Sequence, residues 1–261
     1  MSFQGIGDLA TSYQLRRDNA RLQETLQTLA NELATGRKAD LGQAVAGDFG
    51  AISGIERALT SIGAYQTAAA ETRLMADAAQ ASLELVRSKA SETAGQLLIA
   101  SGEFQPGLVN AAVETAARAF EDSISALNIR VADRSVFAGI ATDGPALASP
   151  DTMLTELETL IAGETTAVGV QTVVASWFGA GGGFETMGFV GNETPLSAIP
   201  ISQDEKATLD VTAADDGVRD VLAGLATAAL LARGALAAEI DERATLAQTT
   251  GQQLIEADYA I

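Results

Sequence analysis

Adjacent carboxylates at Asp215 and Asp216 are the first residues of this chain that invite a chemical reading, as a paired general acid and base. On a helix, however, neighbours point about 100 degrees apart, and no basic partner is expected beside them. Negative charge at that point instead suits the start of a helix, where unsatisfied N–H groups favour anions. A second candidate is the run GAGGG at 179–183, which could cradle a phosphate. It lacks the Lys-Ser/Thr end of a P-loop and does not complete the dinucleotide-binding glycine spacing, so it reads as a flexible turn. Serines and threonines are plentiful, but the chain has no histidine and no cysteine. The familiar nucleophile–base pairs are therefore missing, and no motif supports a Ser–Lys or carboxylate scheme. The same two absences remove disulfides and the usual structural zinc ligands. Trp177 and Phe178 end a short helical pattern and read as filling for a small core. No catalytic, cofactor-binding or metal-binding residue is assigned, no cofactor is expected, and the chain is not expected to be an enzyme.

What the spacing does offer is a surface. Leu15, Leu22, Leu26, Leu29 and Leu33 step by 7, 4, 3 and 4 residues, which places them on one helical stripe with coiled-coil-like spacing. Arg16, Arg17, Asp18, Gln23 and Glu24 fill the remaining face. Packing within one chain and packing between chains would use the same leucines. An isolated helix ahead of a glycine-rich stretch favours the second, so these five leucines are the subunit-packing candidates. Such a helix gains little stability until its stripe finds a partner.

Composition sets what can position that stripe. Of 261 residues, 47% are hydrophobic but only 5% aromatic, so the apolar content is mainly Ala, Leu, Val and Ile, which suits helix packing at close range. The length allows one large domain or two modest ones, since compact cores stop growing at roughly 250–300 residues. An excess of 34 acidic over 16 basic residues repels phosphate backbones, and no basic patch offsets it, so nucleic acid is not an expected partner. No run approaches the roughly 20 apolar residues that span a bilayer. The opening MSFQGIGDLATSYQ has no basic region followed by an apolar core, so neither a membrane span nor a conventional cleaved signal is expected.

Along the chain, Gly36 followed by Arg37 and Lys38 predicts the exit of the first helix, and the small residues over 36–54 predict a turn or bend. Ile52, Ile55, Leu59 and Ile62 open a second helix that runs to about Ile99. Gly102 and Pro106 break it, and Val113, Ala117, Phe120, Ile124 and Leu127 restore helical spacing, which predicts a helical hairpin. After Asp133 the residues Gly139, Gly144, Pro145 and Pro150 mark a different module. Ser149 and Pro150 predict a short helix to about Ala162, and a further one is predicted over 166–178. The runs MGFV, LSAIPI and TLDV within 184–211 read as two or three short strands. Thr212 and Asp215 form a variant capping box for a last long helix through Val218, Val221, Leu225, Ala229, Leu236 and Ile240 towards Leu254. With no helix-stop residue in GQQLIEADYAI, that helix is expected to continue past Ile261. The predicted fold class is mainly α: an elongated helical bundle or rod built from both chain ends, with a small inserted α+β domain. Its parts are an N-terminal assembly helix at 1–45, a helical rod core at 46–138 and 210–261, and an inserted variable α+β domain at 139–209.

Three segments, in order, carry a family resemblance. LQTLANELATGRKAD resembles the N-terminal signature of flagellins and flagellar hook-associated proteins, a leucine-striped helix ending in a Thr-Gly-basic turn, through Leu26, Leu29, Leu33, Thr35, Gly36 and Arg37. DRSVFAGIATDGPAL resembles the segment of the hook–filament junction proteins in which a helix gives way to an aromatic-small-Gly turn, through Asp133, Arg134, Phe137, Gly139, Thr142 and Asp143. The stretch from GFVGNETPLSAIPI to the last helical pattern is similar to that family's return from its variable domain, with Phe189, Gly191, Ile199 and Val211 matching in outline. The chain departs after Arg37, where AVAGDFGAISG replaces the usual Asp-Asp-Pro or Asp-Asp-Ala. The resemblance implies a structural component of the bacterial flagellum that joins hook to filament and serves motility. It also implies type III export without a cleaved signal peptide to an extracellular position, assembly into a ring, contacts with hook and filament-side proteins, and an export chaperone. A flagellin filament subunit is the alternative implied by the same terminal helices. A coiled-coil adaptor would explain the helices but not the ordered turn and strand segments.

Overall fold

The computed structural model describes residues 4–44, 48–102 and 106–259, and the chain divides into two compact units, Met1–Gly63 and Ala64–Ile261. It is mainly helical: among the described residues are eight α-helices, one π-helical turn and four two-residue strands.

In the first unit, helix α1 (Gln4–Thr35) ends where expected, with Gly36 in the left-handed region at φ 65°. The Thr35 hydroxyl donates to the Asn31 carbonyl at 2.6 Å, and the Glu32 carboxylate accepts from Lys38 Nζ and from the Ala39 N–H, both at 2.9 Å. A short helix α2 (Leu41–Ala44) follows, started by Asp40 Oδ1, which accepts from the Gln43 N–H at 2.9 Å. Helix α3 (Gly50–Gly102) begins in this unit and continues into the second.

Burial on α3 starts at Thr72 and recurs through Met75, Ala79, Ser82, Val86, Ala90 and Leu97, a stripe with steps of three, four or seven residues. Helix α4 (Pro106–Leu127) returns alongside it, joined by a Lys89–Asp122 ion pair at 2.7 Å, and buries Val109, Val113, Phe120, Ile124 and Leu127. The hairpin break expected at Gly102 and Pro106 is bounded by those two residues, and 103–105 lie outside the described residues. Strands β1 (Arg130–Val131) and β2 (Arg134–Ser135) then pair antiparallel. Ala132 and Asp133 sit between them at φ 49° and 61°, the pair of left-handed residues that a tight two-residue hairpin turn requires.

Helices α5 (Pro150–Ile161) and α6 (Ala167–Phe178) fall where their caps predict, with the Ser149 and Thr166 side chains accepting from the Thr152 and Gly169 N–H groups. The region after them carries two short strands, within the expected number, but not all where the apolar runs placed them. MGFV contributes the end of a π-helical turn (Phe184–Gly188) and an isolated bridge from Phe189 to Leu147. LSAIPI supplies strand β3 (Ile199–Pro200), which pairs with β4 (Lys206–Ala207), so TLDV forms no strand. The runs are too short to sustain a sheet, and turn residues close each of them.

The single long helix expected from Thr212 is instead two, α7 (Asp216–Ala232) and α8 (Ile240–Asp258). The variant capping box is also only half made: the Thr212 N–H and hydroxyl both donate to the Asp215 carboxylate, at 3.3 and 2.9 Å, and the helix begins beyond it. Residues 221–231 of α7 are all buried, so this helix is apolar all round and has to be covered on every side. Helices α4, α5, α6 and α8 cover it. That requirement explains the break, because a chain continuing straight on would leave α7 exposed on the side that α8 occupies. Gly234 and Leu236, at φ 101° and 54°, turn the chain back. Helix α8 closes against α3 as well, where Gly251 approaches Leu98 and Arg87 pairs with Asp258 at 3.2 Å. Met153, Leu157, Val170 and Val174 of the 139–209 segment share one buried cluster with Phe120 of α4 and Leu222 of α7. The expected continuation past Ile261 concerns a chain end whose last two residues lie outside the described ones.

Candidate functional site

All five stripe leucines are exposed: Leu15 by 59%, Leu22 by 63%, Leu26 by 58%, Leu29 by 51% and Leu33 by 88%. Leu9 and Tyr13 add to the same helix, and Phe49, Ile55, Leu59 and Ile62 are exposed elsewhere in the first unit. Among the described residues, every buried hydrophobic side chain lies in the second unit. The stripe is therefore a row of apolar side chains on a regular scaffold whose transfer out of water is still unspent. Fully burying one leucine contributes on the order of 1.5–3 kcal/mol. At the end of the stripe, the Lys38 ammonium, then the Ala39 N–H, hold the Glu32 carboxyl below the usual carboxylate range. Those bonds fold residues 36–39 back onto the last turn of α1 and fix where the apolar face stops.

The residues that first suggested chemistry are engaged locally. Asp215 is bound by Thr212, and Asp216 pairs with Arg219, the basic partner that the sequence reading did not credit. Arg219 also reaches Glu185 at 3.2 Å, and its bond to Asp216 raises its pKa despite partial burial. Arg219 thus ties Asp216 and Glu185 to one guanidinium, a local ion-pair group at the start of α7. In the glycine run, the Gly181 N–H donates to Glu185 Oε2 at 2.9 Å, so a carboxylate of the same chain stands where a phosphate would have to sit. A Cβ on Gly183 would fall 1.9 Å from Trp177 Nε1, so this position needs glycine to let the backbone meet the indole. Trp177 and Phe178 are buried with Phe184 and Phe189, at centroid separations of 4.7 to 6.4 Å, the edge and offset contacts of a packed aromatic core.

Three polar side chains missed in the sequence organise the second unit. Arg243 donates to the Leu231 and Ala235 carbonyls at 2.7 and 3.0 Å and to Asn110 Oδ1 at 3.1 Å, so it staples the exposed end of α7 to α8 and α4. Burial lowers its pKa from the ordinary arginine value. It lines a cleft of about 400 Å³ with Ser101, Val109, Asn110, Ile240 and Asp241, but its guanidinium is committed to these carbonyls. Glu242 Oε2 accepts from the Ala167 N–H at 2.7 Å and caps α6. The Asn128 amide both donates to and accepts from the Leu147 backbone, at 3.0 and 2.8 Å. The resemblance segment lies beside that clamp: Phe137 is fully buried, and Gly139, at φ 57°, would bring a Cβ within 2.0 Å of the Asn192 carbonyl.

Among the described residues no group of three or more His, Cys, Asp or Glu side chains could hold a metal ion, and no helix is long and apolar enough to cross a membrane. No protein-family model, curated protein or solved structure matches the chain.

Proposed function

We propose that this chain is a structural component of the bacterial flagellum, joining hook to filament through helix packing between subunits. The observation that carries the reading is the exposed stripe of Leu15, Leu22, Leu26, Leu29 and Leu33 on α1, in contrast to the buried leucines of α7. The ordered resemblance of 26–40, 133–147 and 188–230 to flagellar junction proteins supplies the biological setting. In this mechanism the chain does no covalent chemistry. Each subunit is exported through the flagellar type III apparatus with its chaperone, and the stripe leaves water against a neighbouring subunit at the distal end of the hook. The second unit holds its own core and presents the acidic remainder of the surface. Hook and filament-side proteins are the partners on either face of a ring of subunits.

Deleting the gene and imaging the flagella by electron microscopy tests this. Hooks without filaments, together with secreted, unpolymerised flagellin, are expected. Filaments still seated on hooks would sink the proposal, and filament loss with no secreted flagellin at all would favour a filament subunit.

A further inference from the structure

We infer that α1 docks on α1 of a second copy of this chain, parallel and in register, with Asn19 facing Asn19 across the seam. The inference deepens the reading of α1 as a subunit-packing surface and rests on it, with the α1 pair as the unit that the ring repeats through other surfaces. Its first support is the identity of the seam. On a seven-residue repeat, Leu15, Leu22 and Leu29 occupy one seam position and Leu26 and Leu33 the other. The remaining seam position between Leu15 and Leu33 is Asn19, which is exposed. An amide enclosed against leucine has no partner and is penalised, whereas two amides meeting across the seam satisfy each other. A parallel, in-register pair brings Asn19 to Asn19. An antiparallel pair centred on the stripe sets it against Leu29.

The second support is charge, which says that the occupant is another copy. Residues 1–63 carry seven acidic and six basic side chains, so all but one of the 18 net negative charges lie in 64–261. Two copies meeting through their second units would bring these like charges together. The first unit is the part of the chain where two copies meet without that repulsion, and it is the part that bears the uncovered leucines. A strongly basic partner would be drawn to the second unit instead.

The chain has no cysteine, so single introduced thiols report the pairing in the full-length protein. Leu29→Cys should give a disulfide-linked dimer on mild oxidation, and Leu22→Cys the same product, because both residues face themselves in a parallel seam. Leu26→Asp should weaken the association seen by analytical ultracentrifugation on the order of a hundredfold. A wild-type chain that stays monomeric at the highest attainable concentration would overturn the inference. So would a disulfide that forms only when Asn19→Cys and Leu29→Cys chains are mixed, since that is the antiparallel product. These results come from the purified chain and the junction role from the deletion strain, so failure of the one is distinguishable from failure of the other.

Discussion

Helix α7 hides its leucines and helix α1 shows them. Leu222, Leu225, Leu230 and Leu231 are fully buried, whereas the five stripe leucines of α1 are each at least 51% exposed. The difference lies in what separates the apolar residues. From Val221 to Ala232 there is no charged side chain, so α7 is apolar all round and folds only when surrounded. Along α1 the charges at Arg16, Arg17, Asp18, Arg21, Glu24 and Glu32 confine the apolar surface to a narrow seam, which one partner helix is enough to cover. In α7 the hydrophobic free energy is consumed in folding. In α1 it is not consumed in that way.

The sharpest way to break this contrast is to put the same charge into both helices. Leu225→Asp buries a carboxylate with no basic partner in the middle of the core and should cost at least about 4 kcal/mol, enough to unfold the second unit. Leu26→Asp should change unfolding of that unit by less than about 0.5 kcal/mol while weakening self-association on the order of a hundredfold. Denaturant unfolding followed by circular dichroism checks both. Equal losses of stability would mean that the α1 stripe is part of the intrachain core.

The second unit also depends on backbone contacts outside its helices. Gly139→Ala forces a left-handed alanine whose Cβ would meet the Asn192 and Thr194 carbonyls at 2.0 and 2.5 Å. We expect a loss of about 2–3 kcal/mol in the second unit, with association through α1 unchanged. An unchanged unfolding midpoint would show that the 137–140 and 192–194 segments separate at little cost. Arg243→Ala removes three hydrogen bonds at the end of α7 but opens the freed carbonyls to water, so a smaller loss of about 1–2 kcal/mol is expected in the same measurement. A loss confined to amide protection at 231–235, with no change in the global midpoint, would reduce the staple to a local fastening.

What the sequence made legible follows the range of the physics involved. The caps at Ser149 and Thr166 and the exit at Gly36 act within one turn, so the ends of α5, α6 and α1 could be read directly. The leucine spacing of α1 is likewise local. The break between α7 and α8 was not legible, because GALAA is good helical sequence apart from Gly234 and the turn follows from the need to cover α7. Two short strands do lie within 184–211, but of the three apolar runs only LSAIPI supplies one, because MGFV and TLDV are drawn into a π-helical turn and a loop despite their strand-like composition. Arg243 reaches Asn110 across 133 residues and Glu242 reaches Ala167 across 75, and no local pattern announces such pairs. Exposure of the stripe is not written in the leucine spacing, which is the same for a covered and an uncovered face.

The smallest expected effect concerns the turn that ends the stripe. Glu32 is held below the usual carboxylate range, first by the hydrogen bond from Lys38 and then by the Ala39 N–H, against a small opposing desolvation. A carboxyl whose pKa is depressed on folding stabilises the folded turn above its unfolded pKa, and that contribution is lost as pH falls through the folded one. The Ala39 amide should therefore keep its hydrogen-bonded chemical shift through the range in which ordinary carboxylates titrate, and move only at more acid pH. Glu32→Gln keeps the shape but removes the charge, so the Ala39 signal should already lie towards its unbonded position at neutral pH and lose its acid transition. Because the turn is exposed, unfolding of the second unit should not respond to either change. NMR titration of the amide in wild type and variant makes the measurement. An Ala39 signal that follows an ordinary carboxylate titration, or one that Glu32→Gln leaves in place, would show that Glu32 does not hold the turn. The apolar face of α1 would then have no fixed end at Gly36, and the narrow, bounded seam that sets α1 apart from α7 would lose its lower boundary.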